Sequence, residues 1–438
     1  MVRSSHRLAV GEGTALYMGA VLGPGVLVLP ALAARAAGPA SVLAWLGLLT
    51  LSVPVALAFA VLGARYPDGG GVSNFVGRAF GHWATGPVGW WFFFGGVPVG
   101  VLAGALVGGH YVAYAAGLNE SSAIAIACTL LLAAFLVNAA GLHISSRIQL
   151  MLVGLLVALL SMTILLSAPH VQEANFIPFA PHGWWAIGHA ATVLFYAFSG
   201  WEAVSHLSAE FSDPQRQLHK IAVSTLVMVA VLYTGLALAT TGVLGAQVAA
   251  SEVPLMLLLE GGIGSSGRIV TATAAVLLTF GAINAYIAGG ARLGAALARD
   301  GALPRWLDTG TLAGQIPRRS VAALATLCTL LTAVTVVYSI DLDTLMRITS
   351  VCLAAVTMAG TMAALKLIPR SGLWWCIAAG TVFAAAVFMF CGLLIVIPIA
   401  LGTASTITVR ILRRCRLRAS SDAIPHRDSL HAPIQELP

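Results

Sequence analysis

The chain of 438 residues is 59% hydrophobic and only 9% charged, with a mean hydropathy of +0.92. Soluble globular chains carry roughly 25% charged residues, and disordered chains have low hydrophobicity, so both classes are excluded. The formal charge of +7 would suit a nucleic acid partner, but the distribution of the charges assigns it to membrane topology instead.

Apolar runs near the ~20 residues that cross a ~30 Å hydrocarbon core predict helices throughout. Twelve spans are expected near residues 12–34, 41–64, 85–114, 121–139, 147–168, 186–209, 219–245, 267–297, 320–338, 343–366, 373–390 and 392–411. The ~10-residue alternation of a transmembrane barrel does not occur. The fold class is therefore an all-α membrane protein with 12 transmembrane helices. One membrane domain is expected over 1–411, with helices 1–5 in about 12–168, helices 6–10 in about 186–366 and helices 11–12 in about 373–411. A basic tail, 412–438, carries Pro425, Pro433 and Pro438 and is expected to be disordered.

Helix 1 contains "GAVLGPGVLVLP", with Gly23-Pro24-Gly25 in mid-span. Glycine and proline are the poorest helix-interior residues, and proline removes a donor. Arg3, Arg7 and "ALA" at 31–33 imitate a signal peptide, but Glu12 and the Gly-Pro-Gly interrupt the run and further spans follow. In helix 3, Gly96, Gly100, Gly104 and Gly108 recur at every fourth position, a smooth face on which a neighbouring helix can pack. The preceding "WWFFF" (Trp90–Phe94) fits an interface belt or a cavity lining. Helix 6 carries "FYAFSGWEAVSH", with Ser199-Gly200 again near mid-span. The last two spans have almost no polar turn between them, and Cys391-Gly392 is the expected bend.

With the N-terminus in the cytoplasm, only Arg35, Arg268 and Arg347 of the 23 Lys and Arg fall on the outer side. The positive-inside rule explains this bias, so nucleic acid is not an expected partner. The six cysteines are scattered without CxxC or metal-ligand spacing and read as buried thiols. No metal site, cofactor or catalytic signature is present, and no enzyme activity is expected.

Paired Gly/Pro interruptions in matching positions of two halves point to a transporter built from inverted repeats. A broken helix exposes N–H groups and a partial positive charge suited to a carboxylate, while freed carbonyls can accept from an ammonium. Two facing breaks thus match the two ends of an amino acid. Glu202 is the acid that falls deep in a span, two residues past the second break. A buried carboxylate is costly and is a functional candidate by default. His206 and Glu210 follow at four-residue spacing on the same helical face and could continue a proton path. The same pattern also fits Glu202 bracing neighbouring backbone and His206 as a satisfied bundle histidine.

Four stretches together resemble the amino acid–polyamine–organocation superfamily: "GAVLGPGVLVLP", "GARYPDGGGVSNFVGRAFG" (Gly63–Gly81), "FYAFSGWEAVSHLSAEFSDPQR" (Phe195–Arg216) and "GGARLGAALARDGALPRWL" (Gly289–Leu307). The second and third look most like the bacterial branch that exports L-methionine and branched-chain amino acids. The resemblance implies the LeuT-type 5+5 inverted repeat, helices 1 and 6 broken mid-span, two added helices and alternating access. It implies substrate contacts at Gly23, Pro24, Gly25 and Val26 for the carboxylate, and at Phe195, Ser199 and Gly200 for the amino end. It further implies a gating aromatic at Tyr196, with Phe198 and Trp201 beside it, and proton coupling at Glu202, to which the four-residue spacing adds His206. Trp201 is bulkier than the small aliphatic residue of some members. The helix 5 lysine of some proton-coupled members is Leu156 here, so that mechanism does not transfer.

The expected activity is secondary active transport of amino acids, as efflux of neutral apolar ones (methionine, leucine, isoleucine, valine) coupled to protons, with sodium the weaker option. The alternatives are an importer or exchanger of other amino acids or polyamines on the same fold, and a membrane sensor that binds without transport. The expected setting is the bacterial inner membrane, with both termini cytoplasmic and the protein a monomer or homodimer in the lipid bilayer.

Overall fold

The computed structural model describes residues 10–66, 71–141, 146–198, 200–201, 213–309 and 316–422. Among them every regular element is helical and no strand occurs. The first apolar run divides into α1 (Val10–Val21), a 3-10 turn at Pro24–Leu27 and α2 (Leu29–Ala37). The division follows from local sterics, because a residue before proline is pushed out of the helical region. Gly23 is accordingly extended, with φ −76° and ψ −177°.

The chain continues through α3 (Ser41–Arg65), the short α4 (Gly71–Phe80), and α5 (Thr85–Trp90). A π-helical turn at Trp91–Gly96 joins α5 to α6 (Val97–Ala115). Then come α7 (Glu120–Ala140) and α8 (Ser146–Ser167). Asn119 caps α7, its Oδ1 accepting from the Ser122 N–H at 3.0 Å. The second interrupted run begins with α9 (Ala186–Leu194) and a 3-10 turn at Phe195–Phe198. Gly200 then takes φ +113°, a backbone that L side chains rarely adopt.

The remaining elements are α10 (Pro214–Leu244), α11 (Pro254–Ile263), α12 (Ser266–Arg299), α13 (Arg318–Val337), α14 (Leu342–Leu367), α15 (Gly372–Phe390) and α16 (Val396–Asp422). The chain turns between α15 and α16 at Gly392, with φ +57°. Helix α16 continues through its arginines beyond position 411, and arginine is a good helix former.

Among the described residues, ten helical stretches are long and apolar enough to cross a bilayer. Val10–Val21 and Ala186–Phe198 fall short because each stops at its break. The architecture is thus a multi-pass helical bundle. Helix α6, apolar on every face, is its centre: 89% of its spanning window is buried, against 11% for the last helix. It packs on α7, α12 and α14, while α3 packs on α10, and α1 on α10 and α8. The two interrupted runs meet the same core, with their 3-10 turns in contact.

Candidate functional site

The interruption of the first helix leaves a specific set of backbone groups. Leu22 N–H donates to Met18 O at 2.6 Å, Val26 N–H to Gly23 O at 3.3 Å, and Val28 N–H to Gly25 O at 3.0 Å. Pro24 has no N–H, and no acceptor among the described residues takes the Gly25 N–H. Such a donor, buried at the start of a helical turn, suits an anionic oxygen.

The freed carbonyls are met by tyrosines. Tyr233 of α10 places its hydroxyl 3.1 Å from Val21 O and 3.3 Å from Ala197 O, one carbonyl from each break. Tyr111 of α6 donates to Leu27 O at 2.7 Å, and Tyr17 of α1 donates to Trp201 O at 2.8 Å. Unpaired backbone groups in lipid cost several kcal/mol. These phenols therefore help hold the interrupted backbone inside the bundle. Tyr17, Tyr111 and Tyr233 were not among the expected site residues. A signal existed, because a phenol in an apolar span must find an acceptor and a broken helix offers carbonyls.

A cavity lies between the two breaks. Gly23, Pro24 and Gly25 form one wall, and Tyr196 and Ala197 another. Gly100 and Gly104 of α6, Ile283 and Tyr286 of α12, and Thr349 and Leu353 of α14 complete it. Its free volume is about 20 Å³, close to the space of one water molecule. The Tyr196 ring borders this space. Its hydroxyl donates to Gly100 O at 2.9 Å. The ring covers Gly25 so closely that a Cβ there would lie 2.6 Å from Tyr196 Cδ1. No charged side chain occurs among the described lining residues.

The expected site residues thus separate into groups. Gly23, Pro24, Gly25 and Tyr196 line the cavity together. Val26, Phe195 and Phe198 are buried in the surrounding packing, and Phe198 lies 5.9 Å from the Trp45 ring and 5.3 Å from Tyr233. Gly200 is buried, and Trp201 stands edge-on to Tyr17 at 5.4 Å, away from the cavity wall. Ser199, Glu202 and His206 lie outside the described residues.

The glycines at every fourth position have two uses. Gly100 and Gly104 face the cavity, whereas Gly108 gives close contact with Leu130 and Thr279, and Gly96 with Leu353. The "WWFFF" block braces the bundle. Trp90 donates to Ala302 O at 2.9 Å and Trp91 to Pro398 O at 2.6 Å.

At one end of the bundle, beyond the cavity, His110 Nε2 lies 3.0 Å from Glu252. The hydrogen bond from His110 holds the Glu252 carboxyl below its ordinary range, helped by the charge of His110 and of Arg35; burial and Asp341 oppose it.

A broken helix pair around a small cavity with no charge among its described lining residues is a binding geometry. A profile of amino acid permeases matches residues 13–412. The chain belongs to the amino acid permease family. The resemblance read from the four motifs is borne out, and the family is one of transporters rather than enzymes. This permease is 35% identical over 394 residues to the uncharacterized amino acid permease YecA of Bacillus subtilis (strain 168), covering 90% of this chain and 93% of that one. It is 30% identical to the L-methionine/branched-chain amino acid exporter YjeH of Escherichia coli (strain K12), over 78% of this chain and 81% of the relative. It is 25% identical to the branched-chain amino acid permease BcaP of Bacillus subtilis (strain 168), over 73% and 72%.

Proposed function

We propose that this permease exports neutral apolar amino acids (methionine, leucine, isoleucine and valine) across the bacterial inner membrane by alternating access coupled to protons. The observation that carries the reading is the cavity between the breaks, where among the described residues the Gly25 N–H has no acceptor and no lining residue is charged. A carboxylate meets the donor at the first break, and the apolar and small residues of α6, α12 and α14 receive the side chain. The exporter YjeH supports the direction and substrate class.

In this reading the fold is the LeuT-type 5+5 repeat of twelve helices, with both termini cytoplasmic. Gly23, Pro24, Gly25 and Val26 form the carboxylate end of the site, and Phe195, Ser199 and Gly200 the amino end. Tyr196, Phe198 and Trp201 gate it. Glu202, with His206 one turn on, takes and returns the proton. Proteoliposome flux tests the proposal. Labelled methionine, leucine and valine should move when a proton gradient is imposed, and lysine and putrescine should not. Movement of lysine or putrescine in place of the apolar substrates would replace this reading with transport of other amino acids or polyamines. Saturable binding without counterflow would make the protein a sensor.

A further inference from the structure

Helix α14, 26 residues and so about 39 Å long, separates two differently charged ends of the bundle. At the end where α14 begins, arginines are held by protein acceptors. Arg347 bonds Asp343 at 2.6 Å and His189 O at 2.9 Å, Arg268 pairs with Glu260, and Arg35 donates to Ala249 O at 2.8 Å. At the other end, where Arg299 lies beside Asp300, four further cations lie over aromatic rings rather than beside carboxylates. Arg78 lies 4.9 Å and Arg65 5.7 Å from the centre of the Tyr66 ring. Lys366 lies 5.1 Å from Phe80, and Arg370 lies 5.8 Å from Trp374. Among the described residues no carboxylate lies within 4.0 Å of these four cations, each of which is exposed.

These groups form one surface. Arg65 ends α3 and donates to Leu367 O at the end of α14, 3.0 Å away. Trp374 of α15 donates to Leu365 O of the same helix at 2.8 Å. Helix α4 packs on α14, carrying Arg78 and Phe80 to the same place. Three spanning helices therefore end or begin at a shelf of half-buried aromatic rings with cations over them. A cation over a ring face keeps its N–H donors available at the edge, and a guanidinium presents them in a fork that fits phosphate. The aromatic rings suit the headgroup level of a bilayer.

The geometry points to a binding site for the phosphate headgroup of an anionic phospholipid in the leaflet at this end, between α4 and the adjoining ends of α14 and α15. The headgroup phosphate bridges Arg78, Lys366 and Arg370, and its acyl chains run along the outer face of α15, which exposes Trp375 and Val382. This site is separate from the cavity and does not depend on the transported substrate.

The test uses the full-length protein, delipidated in neutral detergent. Short-chain phosphatidylglycerol, short-chain phosphatidylcholine and glycerol 3-phosphate are titrated while melting temperature and lipid adducts in native mass spectrometry are read. Phosphatidylglycerol should stabilise the protein and remain bound. Each of Arg78→Gln, Lys366→Gln and Arg370→Gln should weaken its affinity about fivefold, whereas Arg268→Gln at the opposite end should not. Added salt should weaken binding to the unaltered protein, a reading that needs no variant. Equal retention of phosphatidylcholine, or full affinity in the triple variant, would overturn the site. Equally tight glycerol 3-phosphate would overturn its assignment to a lipid.

Discussion

A phenol carries one proton, and Tyr233 sets its hydroxyl against two carbonyls, Val21 O at 3.1 Å and Ala197 O at 3.3 Å. The one proton can be shared between the two carbonyls or directed at either, so one side chain contacts both breaks. Tyr233→Phe should remove this donor from both breaks, although Val21 O keeps the Gly23 N–H at 2.9 Å, and lower stability by about 0.5–1.5 kcal/mol. Thermal melting would read that loss, and KM for the transported amino acid should rise with it, because the backbone of the site loosens. Tyr338→Phe, at a 75% exposed side chain, should change neither. Melting and KM unchanged in Tyr233→Phe would remove the phenol from the site. The first break was legible at this scale because proline and glycine act on their own neighbours. Tyr233 was not, since its acceptors lie 212 and 36 residues away and only packing joins them.

At the scale of elements, interruption creates short helices that need outside support. Helix α9 has nine residues before its 3-10 turn, too few to be stable alone. Arg347 supplies an anchor, donating from Nη1 to His189 O and to Thr192 Oγ1 of α9 while Nε bonds Asp343 at 2.6 Å. Both charged side chains are only 21% exposed, so removing one leaves the other in poor surroundings. Arg347→Met should destabilise the protein by about 1–3 kcal/mol, and Arg347→Met with Asp343→Leu should recover part of that loss. Melting temperatures of the singles and the double decide it. A double variant as unstable as the sum of the singles would mean the pair is not coupled. The four-residue spacing of Asp343 and Arg347 could be read from the chain, but the reach to α9 could not. In the same way, the every-fourth-residue glycines gave α6 a smooth face without saying that Gly100 and Gly104 would meet a cavity rather than a helix.

For the molecule as a whole, the decisive quantity is the cavity's volume of about 20 Å³. One water fits such a space, and an amino acid does not. This arrangement is therefore a closed one, in which Tyr196 covers Gly25 and is tied to Gly100 O at 2.9 Å. A substrate that reaches the Gly25 N–H must first displace the ring. Opening and binding are then linked, and the measured affinity is the intrinsic affinity reduced by the open fraction. Tyr196→Phe deletes the hydrogen bond but keeps the ring. It should enlarge the open fraction and tighten apparent binding of methionine or leucine by up to about fivefold, the equivalent of one ordinary hydrogen bond. Ligand-dependent melting measures this, since saturation at 100-fold over Kd stabilises a protein by about 2.7 kcal/mol. Weaker binding in Tyr196→Phe would instead place the hydroxyl on the substrate, and unchanged binding would remove it from the closure altogether. If the phenylalanine variant binds tighter, the hydroxyl stabilises the closed cavity, and the ring alone remains to shape it.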